Sequence, residues 1–271
     1  MVNLQKVKTG SALLGIEMKK VWSRPILELS VILIALMSVS AIQTLNIIII
    51  PSEAQSIFQS MVNNGVSNIM DLQMLPLIIV CSILISLSFA RDYEQGLMQS
   101  LLSSPISRAK LYTIKLVAVL LPLTFLSWGF VFLFSALNYY SDFFVVIQSN
   151  LFVLPITFLS LMFYGGIATF VSLVIKRTIP SALTAMLAGF FFWFITTLNT
   201  DSIGSIADYL VLTPYKAPLV LLGRINGLSY PVGTIENSLP LWNLAFLVFF
   251  YAVIFVFPTF LYFTRRFEVR E

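Results

Sequence analysis

The sequence predicts an all-α polytopic membrane protein with six transmembrane helices, on three observations. Of the 271 residues 58% are hydrophobic and only 10% charged, and the mean hydropathy is +0.93, whereas soluble domains carry about one-quarter charged residues. Six apolar stretches are each long enough, at about 1.5 Å per residue, to cross about 30 Å of hydrocarbon. The basic residues, finally, gather in alternate connections between those stretches.

The predicted spans are Ile26 to Ile50, Leu72 to Ala90, Leu111 to Leu137, Leu151 to Ile175, Ile179 to Leu198 and Leu241 to Thr264. With an even number both termini share a side. That side collects Lys6, Lys8, Lys19, Lys20, Arg24, Arg91, Arg108, Lys110, Lys115, Lys176, Arg177, Arg265, Arg266 and Arg270, leaving only Lys216 and Arg224 of the 16 basic residues opposite. The positive-inside rule makes the richer side, with both termini, cytoplasmic in a plasma (inner) membrane, with Asn138 to Asn150 and Asn199 to Pro240 outside. The basic, mixed first 25 residues do not read as a cleaved secretory signal, so the first span is expected to direct insertion.

Several functions are disfavoured on chemistry. The single cysteine, Cys81, permits no internal disulfide, and the absence of histidine removes the usual metal ligand and neutral-pH base. No G-x-x-x-x-G-K-[ST] loop occurs, and no cytoplasmic segment is long enough for an ATPase domain. The chain is therefore expected to be no enzyme, with no catalytic, metal or cofactor site of its own. Glu28 and Lys115 lie near span ends, within reach of the interface, which leaves no charge at mid-span for a proton pump or voltage sensor. No internal repeat is evident, which weakens a secondary transporter.

Within the spans, Gln43, Thr44 and Asn46 near the end of the first and Thr196, Thr197 and Asn199 at the end of the fifth are the polar groups that either join helices by hydrogen bonds or line a substrate path. Pro122, Pro155 and Gly165-Gly166 interrupt the third and fourth spans and carry no assigned function.

Two cytoplasmic segments have helical periodicity. In residues 1–25, Leu4, Val7, Ser11, Leu14, Met18 and Val21 form a stripe, with Lys6, Glu17 and Lys20 off it, as in an amphipathic helix lying in the interface; Trp22 suits the headgroup level and Pro25 marks the turn into the first span. In residues 91–110, Tyr93, Leu97 and Leu101 recur every four residues beside Met98 and Leu102, with Asp92, Gln95, Gln99 and Ser103 on other faces, until Ser104-Pro105 breaks the helix. A helix held between two spans can pass motion from an attached soluble domain into the membrane.

This second segment resembles the signature of ABC-2 type permeases: an acidic-basic cluster before E-x-G, a Leu-Leu pair, a Ser/Thr-Pro-[Val/Ile] turn, and a Lys opening the next span. Arg91, Asp92, Glu94, Gly96, Leu101, Leu102, Pro105, Ile106 and Lys115 match it, while Leu97 stands where that family usually has Thr and Ile114 where a small residue often precedes the Lys. The layout of the whole chain is also similar. The resemblance implies a single permease domain over residues 1–271, whose ATPase-coupling region holds Arg91, Asp92, Tyr93, Glu94, Gly96, Leu97, Leu101, Pro105 and Arg108, with the Lys176-Arg177 turn as a second contact. It further implies a separate ABC ATPase subunit carrying ATP and Mg, a second permease copy or sibling, membrane lipids rather than nucleic acid as surroundings, and an outer helical hairpin in residues 199–240 that re-enters the membrane. Asp92 and Glu94 are expected to pair with Arg91 or Arg108, or with basic groups on the ATPase. A membrane scaffold or assembly factor, or an oligomeric channel, would show the same hydropathy.

Overall fold

A computed structural model describes residues 2–43, 55–103, 106–139, 142–197, 212–228 and 239–265, and among these it holds ten helices and no strand. In chain order they are α1 (Val2–Val21), α2 (Ile26–Gln43), α3 (Gln55–Glu94), α4 (Leu97–Ser103), α5 (Arg108–Asn138), α6 (Phe143–Asn150), α7 (Val153–Ile175), α8 (Thr178–Thr197), α9 (Lys216–Ile225) and α10 (Leu241–Arg265).

Five segments are long and apolar enough to cross a membrane: Phe58–Glu94, Arg108–Asn138, Phe143–Ile175, Thr178–Thr196 and Leu241–Arg265. The predicted first span meets that test only as a bent pair, Ala12–Val21 with Ile26–Ser40, whose axes differ by 68°. The count is therefore five, or six if the pair is one span. The bend falls at Trp22–Pro25, where proline removes a helical donor.

Helix extends beyond the predicted spans in two places. The second span was expected to begin at Leu72, but α3 starts at Gln55. Its polar first turns are held by long-range bonds: Asn63 Nδ2 donates to the Asn226 carbonyl, and Ser149 Oγ donates to Asn63 Oδ1 at 2.5 Å. Asn138 to Asn150 was expected to lie outside, ahead of a fourth span from Leu151, yet Phe143–Asn150 forms α6 and Phe143–Ile175 together is one candidate span. Asp142 starts it by accepting the Phe144 and Val145 amides at 3.1 and 3.3 Å, satisfying donors that a helix start leaves free.

Pro122 and Pro155 lie within continuous helices, and so do Gly165 and Gly166. The glycines serve close approach rather than interruption. A Cβ on Gly166 would lie 2.8 Å from Phe255 Cβ and 3.0 Å from the Val256 backbone nitrogen, and one on Gly165 would lie 3.0 Å from a Leu120 methyl. Small residues of this kind let helix backbones meet in lipid, where dispersion and hydrogen bonding replace the hydrophobic drive.

The core centres on α3, packed by α2, α5, α7 and α8, while α7 packs most extensively against α10. Gln73 of α3 ties three helices, donating to Ser38 Oγ of α2 at 2.6 Å and accepting from Ser127 Oγ of α5 at 2.8 Å. By contrast α8 turns Ile179, Leu183, Leu187 and Phe191 outward. That apolar exterior is what hydrocarbon surroundings allow.

Of the predicted outer hairpin, the first apolar patch lies outside the described residues up to Val211, and the second is α9. Thr213 caps it, accepting the Lys216 amide on Oγ1 at 3.3 Å. Its residues Ala217 to Gly223 are buried against α3, α7 and α10. Tyr215 Oη donates to the Asp71 carbonyl at 3.1 Å and Lys216 pairs with the Asp71 carboxylate at 3.4 Å, so α9 is pinned to α3.

Candidate coupling site at the basic end of the helix bundle

Opposite α9, side-chain bonds bring the ends of α1, α3, α5 and α7 together, and α4 packs on α3 there. Helix α3 stops at Glu94 because Gly96 takes a left-handed φ of +71°, which glycine adopts without a Cβ penalty. The Gln95 amide then bonds the Arg91 carbonyl at 2.9 Å and the Gly96 amide that of Tyr93 at 3.0 Å. A Cβ on Gly96 would meet nothing within 4 Å, so the backbone angle alone accounts for this glycine of the E-x-G pattern.

From that turn α4 runs across the bundle end with Met98 buried, Leu101 and Leu102 half-buried against the core, and Leu97 45% exposed. Pro105 lies outside the described residues. Ser107 then caps α5, with the Lys110 amide 3.4 Å from its hydroxyl, and Arg108 opens that helix with its side chain exposed.

The two acidic residues of the motif do different work. Glu94 accepts the Thr178 amide at 3.1 Å and the Thr178 hydroxyl at 2.6 Å. A carboxylate there meets a free amide and the positive end of the α8 dipole. The same hydrogen bonds hold α3 to the start of α8. Beside it, Lys176 ends α7 in a left-handed conformation (φ +59°), donates to Tyr93 Oη at 3.0 Å and lies 4.5 Å from the centre of the Tyr93 ring. Arg177, next in the turn, is exposed.

Asp92 is instead wholly buried, bonded to Lys20 of α1 and Lys115 of α5. Lys115, also wholly buried, bonds Glu17 of α1 at 3.0 Å and the Ser88 carbonyl at 2.7 Å. The result is a four-charge cluster of balanced sign joining three helices. Buried charges persist only when paired in this way. Trp22 adds a neutral link, its Nε1 donating to the Ala118 carbonyl of α5 at 3.0 Å.

This geometry corrects three expectations. Asp92 pairs with Lys20 and Lys115 rather than with Arg91, Arg108 or an external partner, because its carboxylate has no exposed surface. Lys115 does not reach the interface, since α1 covers it and supplies a counter-charge. Glu17, placed off the buried stripe of α1, is turned inward while Ile16 is 62% exposed. The favourable ion pair decides that rotation over the apolar periodicity. Sequence reasoning missed Glu17 and Lys20 as partners, because nothing in their spacing shows which helix they face.

The proposed path residues are not brought together in the described part. Thr196 bonds the Trp193 carbonyl of its own helix at 2.6 Å. The side chains of Gln43 and Thr197, and residues Thr44, Asn46 and Asn199 altogether, lie outside what is described.

Fold and site together define a helical multi-pass membrane protein whose helices are tied at one end by a buried charge cluster. A family model described as ABC-2 family transporter protein matches residues 13–208. That match covers well over half of the chain, which therefore belongs to the ABC-2 transporter family, as a membrane permease. No curated protein matches the chain.

Proposed function

We propose that this chain is the membrane-spanning half of an ABC exporter, with both termini cytoplasmic, driven by a separate ATPase subunit and paired with a second copy or a sibling permease. The observation that carries the reading is α4, packed on α3 at the basic end while Leu97 is exposed. A soluble subunit pressing on α4 would act on α3 directly, and through Asp92 and Lys115 on α1 and α5. The Glu94–Thr178 and Lys176–Tyr93 bonds carry the same displacement to α8 and α7. The acidic pair thus transmits force inside the permease, and the apolar and basic surface around Leu97, Arg108 and Arg177 is the docking face. Nothing in the chain supplies a phosphate-binding loop, so ATP and Mg belong to the partner.

Purified alone, the chain is expected neither to bind nor to hydrolyse ATP, and to be recovered from native membranes as a permease dimer with two P-loop ATPase subunits. Stoichiometric ATP hydrolysis by the isolated chain would overturn the proposal. Orientation has its own test. In a Cys81→Ser background, Ser141→Cys and Ser202→Cys are expected to react with an impermeant thiol reagent in intact cells, whereas Ser104→Cys is not. The reverse pattern would place the basic end outside.

A further inference from the structure

On the bundle flank where α5, α7 and α10 meet lies a groove of about 320 Å³, walled by Tyr112, Leu116, Leu120, Phe158, Met162 and Phe257, among others. Its polar atoms are already engaged: Tyr112 Oη with Thr259 Oγ1 at 2.7 Å, and Thr113 Oγ1 with the Ala109 carbonyl at 2.9 Å. The wall offers hydrocarbon, and an apolar hollow of this kind does not hold water.

Its dimensions select an occupant. Along α5 it runs from Tyr112 to Leu120, about 12 Å at about 1.5 Å per residue, close to the half-thickness of a bilayer core of about 30 Å. The groove is long enough and apolar enough to take one extended polymethylene chain.

Charge at the open end selects the headgroup. Arg108 lies one turn beyond Tyr112 on the stripe Arg108, Tyr112, Leu116 and Leu120, and its side chain is exposed. Lys110 flanks it on the first turn of α5, and Arg265 ends α10 at the same level, past the Tyr112–Phe263 ring contact. Basic residues at such an inter-helix groove favour anionic lipid headgroups, by about fivefold per residue. We propose that this groove is a resident-lipid site, taking one acyl chain of an anionic phospholipid from the leaflet at the basic end, with its phosphate beside Arg108. The site lies on the bundle flank, shares Arg108 with the proposed docking face, and does not depend on the direction of transport.

The full-length protein in nanodiscs containing phosphatidylglycerol with a photoreactive acyl chain tests this, with the same probe on phosphatidylcholine in parallel. Adducts are expected in the peptides carrying Tyr112 to Leu120 and Val253 to Phe260, at least fivefold more from phosphatidylglycerol, and displaced by unlabelled phosphatidylglycerol. Val117→Trp, which fills the groove, is expected to lower them at least tenfold, and Val253→Phe does the same from the α10 wall. Arg108→Gln is expected to keep the adducts but remove most of the headgroup preference. Labelling spread evenly onto the outward face of α8, adducts insensitive to competitor, cross-links to a second copy through the groove, or a filled variant labelled like the native chain would each overturn the proposal. Should both filled variants misfold, the competition experiment on the native chain decides alone.

Discussion

Replacing Lys115 with methionine is expected to cost about 3–5 kcal/mol of stability, the range for removing one partner of a buried ion pair, and to collapse the yield of folded protein. Lys115 lies between the carboxylates of Glu17 and Asp92, both cut off from solvent, with the Ser88 carbonyl as a further acceptor. Without it, Asp92 keeps Lys20 and the buried Glu17 loses its ion pair. The double variant Lys115→Met with Asp92→Leu removes one charge of each sign and keeps the volume, so it is expected to recover at least half of the loss in thermal unfolding in detergent. A single variant within about 0.5 kcal/mol of the native chain would show that the cluster does not hold α1 to the bundle. Because the double variant also removes the ion pairs that join α1 to α3 and α5, recovered folding is expected to come without recovered substrate-stimulated ATPase activity.

Gly166→Val is expected to destabilise the chain by about 1–3 kcal/mol, the usual range for overpacking a close-packed site, and to separate α7 from α10. The first atom a side chain would meet there is Phe255 Cβ and the next is backbone nitrogen, and neither can swing aside. Gly129→Ala is the internal control. Gly129 lies in α5 with nothing within 4 Å of a would-be Cβ, so alanine is expected to be neutral or to stabilise by up to about 1 kcal/mol through helix propensity. Equal effects at the two positions would mean that the α7–α10 approach is not tight.

The comparison of these sites shows what the sequence exposes and what it hides. The spans were legible because lipid demands unbroken apolar length, and the predicted third, fourth and sixth spans lie within α5, α6–α7 and α10. The early part of α3 was not, since the predicted second span begins only at Leu72, and the polar turn at Asn63 is tied to Ser149 and Asn226, far along the chain. The family signature was legible as a pattern of residue types. It did not reveal that Asp92 faces inward while Glu94 caps α8, for adjacent residues on a helix point about 100° apart and only the packing of α1 and α8 says which is which. Gly96 was hidden as well: the four-residue spacing of Tyr93, Leu97 and Leu101 reads as one helix, whereas a left-handed glycine ends α3 at Glu94 and α4 starts afresh at Leu97.

The central claim is that a nucleotide-hydrolysing subunit docks on α4. Its most direct test is a photoreactive amino acid placed at Leu97, irradiated in cells, with adducts identified by mass spectrometry and Phe143, exposed at the far end of the bundle, as the comparison position. The account predicts an adduct containing a P-loop ATPase at Leu97 and none at Phe143. Adducts of that ATPase at Phe143 but not Leu97, or adducts at Leu97 that contain no P-loop protein while the protein remains folded, would contradict it.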